Sequence, residues 1–147
     1  AYFFTGEKII ALRKCVKPTF TYTDFDSYVS ATFYVIKTER VNQKYLVAIL
    51  NSKLVAFWLQ HKGKMQGNNY QIDKEPIIDL PLYEDPKAGQ KDLANLTTRI
   101  IEFIKSPDYF GNPEKQAKVR DIEHQIDELV YKLYGLTDEE IKIVEAN

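Results

Sequence analysis

Cysteine, glycine and proline are scarce in this 147-residue chain: one, six and six respectively. The single cysteine, Cys15, forms no internal disulfide and supplies no thiolate set for zinc, which excludes a disulfide-stapled module and a zinc finger. That usage fits a reducing compartment, and the cytoplasm is the expected location. None of the glycines opens a phosphate-binding loop; Gly63 and Gly67 are flanked by Lys, Gln and Asn rather than by the Gly-Lys-Ser/Thr that nucleotide binding needs. Long apolar runs are missing as well. A membrane helix requires ~20 apolar residues, and the best stretch, Phe20 to Ile36, is broken by Asp24, Asp26 and several hydroxyls, so no membrane partner is expected. Ala1-Tyr2-Phe3 has neither an initiating Met nor a basic-then-apolar leader, and reads as the start of a piece of a longer polypeptide.

Catalytic sets are equally thin. His61 and His124 lie far apart, with no second His or Cys at metal-ligand spacing, so both read as surface residues and no metal is expected. Cys15 reads as a small residue of a strand rather than a nucleophile. Asp121, Glu123, Asp127 and Glu128 are interspersed with Lys118, Arg120 and Lys132, the pattern of a solvated helical face. Pro107-Asp108 with Glu114-Lys115 resembles a metal-dependent nuclease motif only superficially, because that motif needs an acid, one spacer and a lysine, and Gln116 stands where the lysine belongs. No catalytic residue is assigned.

What is present is an ordinary globular composition, 44% hydrophobic and 28% charged, with an uneven charge distribution. Residues 1–83 carry a net +4 and residues 84–147 a net −5, which together give the overall −1. From Arg40 to Ile72 there is no acidic residue, while Arg40, Lys44, Lys53, Lys62 and Lys64 are positive. A second acid-free stretch, Lys8 to Lys17, adds Lys8, Arg13, Lys14 and Lys17. Asymmetry of this kind points to a polyanion, although two differently charged solvated faces would produce the same count.

The hydrophobic periods predict an α+β chain: a small mixed, largely antiparallel sheet with flanking helices, followed by C-terminal paired helices. Lys8 to Val16 reads as one strand ending at Pro18. Thr19–Thr23 and Tyr28–Lys37 alternate around turn chemistry at Asp24 to Ser27 and read as an antiparallel hairpin. Asn42 caps a helix with apolar positions Leu46, Ile49, Leu50, Leu54, Phe57 and Trp58, and Asn51-Ser52 predicts a break in it. Lys62 to Tyr70 reads as a polar loop. Tyr70–Ile72 and Ile77–Leu82 read as short extended pieces limited by Pro76 and Pro81, and Glu84–Gln90 as a linker. Leu93, Leu96, Ile100 and Ile104 then define a helix stopped by Pro107. Asn112-Pro113 opens another, whose Val119, Ile122, Ile126, Leu129 and Leu133 form a heptad seam. Gly135 suits a left-handed helix end, and Thr137 to Glu140 form a capping box for a last short helix. The expected division is residues 1–85 for recognition and residues 86–147 as a helical spacer or docking region.

The densest polar chemistry lies between His61 and Gln71. Lys neutralises phosphate, whereas the side-chain amides of Asn and Gln donate and accept together and so match an adenine edge in the major groove. The expected division of labour gives phosphate contacts to Lys8, Arg13, Lys14, Lys62 and Lys64, and base reading to Gln66, Asn68, Asn69 and Gln71. An ordinary exposed loop after a helix has the same composition. Tyr22 is a second-tier candidate, and Tyr34, Phe57 and Trp58 read as core.

Several segments carry a family resemblance, in order along nearly the whole chain. Ile122-Glu-His-Gln-Ile-Asp-Glu-Leu-Val-Tyr-Lys-Leu-Tyr-Gly-Leu-Thr-Asp-Glu-Glu-Ile-Lys-Ile-Val-Glu145 resembles the helical ending of adenine-specific DNA methyltransferases of Type II and Type IIG restriction-modification systems. Tyr45-Leu-Val-Ala-Ile-Leu-Asn-Ser-Lys-Leu-Val-Ala-Phe-Trp58 is similar to the Leu-Asn-Ser helix of their specificity domains. Gly6-Glu-Lys-Ile-Ile10 and Ile77-Ile-Asp-Leu-Pro-Leu82 resemble that domain's opening strand and its Pro-containing late strand. The resemblance implies a target recognition domain, related also to Type I specificity subunits, whose partner is double-stranded DNA. It further implies a catalytic methyltransferase domain of the same polypeptide, which flips out an adenine and methylates it with S-adenosylmethionine, with or without an endonuclease beside it. Neither the Asn/Asp-Pro-Pro-Tyr/Phe motif nor the glycine-rich cofactor motif occurs here, and Asn112-Pro113-Glu114 is no version of the former. No cofactor is therefore expected within this chain, and it should not methylate or cleave on its own. The alternative is a protein-interaction module in which the C-terminal helices mediate self-association and the basic half is incidental.

Overall fold

The computed structural model describes residues 2–83 and 88–146, and its elements are α+β as the periods predict. The first sheet is built on β1 (Lys8–Leu12), which pairs antiparallel with both β3 (Phe20–Thr23) and β4 (Phe33–Ile36), in the order β3-β1-β4. Ile9 and Ala11 alternate into the core, and Ile10 faces Thr21 on one side and Val35 on the other. The expected hairpin between residues 19–23 and 28–37 is thus corrected: β3 and β4 flank β1 and do not pair with each other. The expected single strand Lys8 to Val16 is also divided. It breaks at Arg13, and β2 (Lys14–Cys15) enters a second sheet with β5 (Lys64–Gln66) and β6 (Asn69–Gln71), in the order β2-β6-β5.

Asn42 accepts from the Lys44 and Tyr45 backbone N–H groups at 2.8 and 3.2 Å and so opens α1 (Gln43–Leu50). This helix is buried on nearly every side, from Tyr45 through Leu50, which is what an all-round apolar helix requires. The predicted break is real. Asn51 ends α1, and the Ser52 hydroxyl donates to Ile49 O while accepting the Val55 N–H at the start of α2 (Lys53–Lys62).

Residues 64–71, expected to be mostly loop, form a hairpin of β5 (Lys64–Gln66) and β6 (Asn69–Gln71). Ile77–Leu82 is corrected as well, since α3 (Lys74–Ile78) takes its first two residues. Pro76 is tolerated there because N–H groups of a first turn have no intrahelical acceptor to lose. Residues 84–87 of the expected linker lie outside the described residues, and α4 (Ala88–Lys105) already includes the rest of it.

Asn112 and Pro113 open α5 (Pro113–Leu133), and Thr137 and Glu140 form the capping box of α6 (Asp138–Glu145). Gly135, at φ +66°, provides the left-handed residue between them. The buried stripe of α5 runs Val119, Ile122, Ile126, Val130 and Tyr131, while Leu129 and Leu133 are only half-buried. The stripe drifts as a straight 3.6-residue helix must, rather than holding a strict heptad. It is spent inside the chain: Leu93 and Leu96 of α4 and Ile122, Ile126 and Val130 of α5 share one core with Ile9, Ile49, Val55 and Ile72. Each such fully buried aliphatic side chain stabilises the fold by roughly 1.5–3 kcal/mol. Polar ties reinforce the junction, with Thr97 Oγ1 donating to Lys44 O and Asp127 Oδ1 accepting the Lys53 N–H at 2.8 Å.

Candidate nucleic-acid interface

The second sheet gathers most of the predicted contact residues, and its register decides which of them share a surface. Lys14 faces Gln71, and Gln71 faces Lys64 across the other edge; two residues along, Gln66 faces Asn69. Directly opposed residues, and residues two apart on one strand, lie on the same side of a sheet. Lys14, Lys64, Gln66, Asn69 and Gln71 therefore occupy one face, while Cys15, Met65 and Tyr70 occupy the other. Cys15 and Tyr70 pack on the core, which turns the polar face outward.

Two glycines position this hairpin. At Gly63, where α2 ends, a Cβ would stand 2.5 Å from Leu59 O, so only glycine lets the chain leave the helix this closely. Gly67, at φ +62°, occupies the two-residue connection between Gln66 and Asn69 and supplies the positive φ that tight hairpins favour. Asn68 is its exposed neighbour at the tip.

Two amides of the polar face, those of Gln66 and Gln71, are tied by hydrogen bonds. Gln66 Nε2 donates to Gln71 Oε1 at 2.8 Å, and Gln71 Nε2 donates to Asp73 Oδ1 at 3.3 Å. Lys62, at the end of α2, lies 5.5 Å from the Trp58 ring centroid, and Trp58 is anchored by its indole N–H donating to Pro76 O. Arg13 is the pivot between the sheets. Its N–H donates to Thr32 O, its carbonyl accepts from Ile72 N–H, and its exposed guanidinium stacks 5.0 Å from the Tyr34 ring centroid.

Lys8 is the exception among the predicted residues. Its side chain is fully buried in the first sheet, and Nζ donates to Gly6 O at 3.0 Å and Phe25 O at 2.5 Å. Its assignment to phosphate contact is corrected: the ammonium is occupied by backbone carbonyls and faces no solvent. Charge counting overlooks Asp73, which stands one residue past the acid-free run; its place two residues beyond Gln71 is the available signal.

Elsewhere the titrating groups serve structure. Burial raises the Cys15 thiol above its ordinary value, against a backbone hydrogen bond at Thr19. Burial likewise raises the Tyr22 phenol, helped by its hydrogen bond to Glu7 at 2.8 Å. His61 and His124 are exposed, and among the described residues no group of three His, Cys, Asp or Glu side chains is placed to hold a metal. No helix among the described residues is long and apolar enough to cross a membrane.

The second sheet is antiparallel, packs on the helical core through Cys15 and Tyr70, and carries lysines and side-chain amides on its outward face. Residues 1–82 match the TaqI-like C-terminal specificity domain, and the chain belongs to that family. It is also similar to two curated proteins of Haemophilus influenzae, the Type II methyltransferase M.HincII and, from strain Rd, the Type II methyltransferase M.HindII. Each is 27% identical over an alignment of 96 residues, and the match covers 58% of this chain. The matched segment spans 19% of the first relative and 18% of the second, so the chain corresponds to under a fifth of their length.

Proposed function

We propose that this specificity domain reads duplex DNA through the outward face of its second sheet. The observation that carries the reading is the placement of two ammonium groups, Lys14 and Lys64, on the same face as the amides of Gln66, Asn69 and Gln71. A two-stranded β-ribbon fits the major groove, where side-chain amides pair with base edges and lysines neutralise the flanking phosphates. The β5–β6 hairpin is such a ribbon, exposed from Lys64 through Asn69. Arg13 and Lys62 lie beside it as further phosphate contacts, and Asn68 at the tip as a further base reader. Lys8 has no part.

In this reading residues 1–85 carry recognition and residues 86–147 brace them. The shared core, and the capping of α2 by Asp127 from α5, support a brace. The proposed parent is a site-specific adenine methyltransferase whose S-adenosylmethionine-dependent catalytic domain, and any nuclease, lie outside this chain. The alternative of a helical interaction module receives less support, because the apolar stripes of α4 and α5 are already packed on one another and on α1.

A titration of the chain against random duplex DNA at low and moderate salt, with sequencing of the bound fraction, tests the reading. Salt-sensitive binding with enrichment of a short motif is expected. Absence of binding at low salt would overturn it and return the weight to the helical module.

A further inference from the structure

We infer that Asp73 is a positioning residue that sets the hydrogen-bonding polarity of Gln66 through Gln71, and thereby makes Gln66 a reader of adenine rather than guanine. The inference rests on the proposed DNA-reading face. Its starting point is that a side-chain amide has a donor end and an acceptor end, and nothing in the amide alone decides which faces out. A carboxylate only accepts. The end of Gln71 that meets Asp73 Oδ1 must therefore be Nε2, which leaves Oε1 directed at Gln66 and requires a donor there. Gln66 supplies one N–H of Nε2 to Gln71 and keeps its second N–H and its Oε1 for a ligand.

That remaining pair is one donor beside one acceptor, the complement of adenine N7 and N6–H₂ in the major groove. Were the relay reversed, Gln66 Oε1 would be occupied and two N–H donors would face out, the complement of guanine N7 and O6. Asp73 decides between these two states without touching the base. Its placement argues for the role: Asp73 stands at the N-terminal cap of α3, where aspartate ordinarily accepts from the helix backbone, yet its side chain makes no capping bond and turns to Gln71 instead.

The experiment uses the full chain and the same random duplex pool. The wild type is expected to prefer adenine over guanine at one position. Asp73→Asn, whose amide both donates and accepts, is expected to lower that ratio about tenfold while leaving the other positions and the salt dependence in place. Because Asp73 acts through Gln66, Asp73→Asn should change nothing further in a Gln66→Ala background. An unchanged ratio, an equal loss on all sequences, or the same effect in the Gln66→Ala background would overturn the inference. Gln66→Ala, at an exposed position, also tests it independently of whether Asp73→Asn folds, since it must itself abolish the adenine preference. Salt-sensitive binding with no adenine position would sink this inference and spare DNA contact; no binding at all would sink the DNA-reading proposal beneath it.

Discussion

The side chain of Asn51 pairs with the backbone of Phe20 as a strand would, Oδ1 accepting the Phe20 N–H and Nδ2 donating to Phe20 O, both at 2.8 Å. The residue that ends α1 thus fastens β3 to the helix, and its neighbour Ser52 begins α2. The Leu50-Asn51-Ser52 sequence, which carries much of the resemblance to specificity domains, has a structural explanation here and needs no contact with DNA.

Substitution at Asn51 should therefore act on folding. Asn51→Asp keeps an acceptor for the Phe20 N–H but sets a second oxygen against Phe20 O. We expect a loss of about 1–3 kcal/mol in chemical denaturation, with Asn51→Ala in the same range. A variant as stable as the wild type would show that the pairing contributes nothing net.

Gly63 and Gly67 should fail differently. Gly63→Ala places a Cβ 2.5 Å from the backbone oxygen of Leu59, so either the end of α2 or the start of β5 must move. Overpacking of this kind costs about 1–3 kcal/mol, and it should also disturb the amide relay. Gly67→Ala meets no atom within 4 Å and faces only the penalty of φ +62°, on the order of 1–2 kcal/mol. Denaturation of the two variants, with amide NMR shifts of Gln66 and Gln71, distinguishes a displaced hairpin from a strained turn.

Local chemistry made much of the fold legible. Asn42, Ser52, Asn112-Pro113, Gly135 and Thr137 each mark a helix end because a cap depends on residues within one turn. Strand partners depend on the whole chain. Nothing near Phe20 or Phe33 states that both strands flank β1, and nothing near Lys14 states that it will face Gln71. Charge counting named Lys14 and Lys64 but treated Lys8 alike, because the carbonyls of Gly6 and Phe25 that occupy its ammonium converge only after folding. The face is assembled from residues the sequence had named; their common orientation comes from register.

Asp127 predicts a pH signature. Burial raises its carboxyl above the ordinary value, outweighing the Lys53 N–H bond and the nearby Lys53 and His124 charges, while Glu145 adds to the rise. Between the unfolded value and the raised folded one, the native state holds a proton that the unfolded chain has released. The penalty is fully present above the raised folded value, and it fades as pH falls toward the unfolded one, so this site gains stability on acidification. Asp108 behaves oppositely: bonds from Lys115, Ser106 and Asn112 hold it low, and its contribution is lost as pH falls. The difference between wild type and Asp127→Asn isolates the first effect. The amide keeps an acceptor for Lys53 N–H without a charge, so Asp127→Asn should equal or exceed wild-type stability at neutral pH, with the gap closing in mild acid. Asp127→Ala, which loses the acceptor, should cost about 1 kcal/mol. A gap that widens in acid would contradict the assignment.

The lysines give the sharpest separation of folding from binding. Lys14 and Lys64 stand exposed on the outward face of the second sheet, whereas Lys8 is enclosed in the first. Replacing Lys14 and Lys64 with Ala should leave thermal stability nearly unchanged. It should weaken binding to all duplex sequences alike and reduce the dependence of log K on log salt by roughly one unit for each ammonium removed from a phosphate. Lys8→Met should do the reverse. It removes the donor from Gly6 O and Phe25 O, costs about 1–3 kcal/mol of stability, and leaves the salt dependence of the folded fraction intact. If Lys8→Met instead lowered the salt slope, or if Lys14→Ala and Lys64→Ala left it untouched, the polyanion would have to lie on another face. The same cation count in the sequence would then serve a different surface.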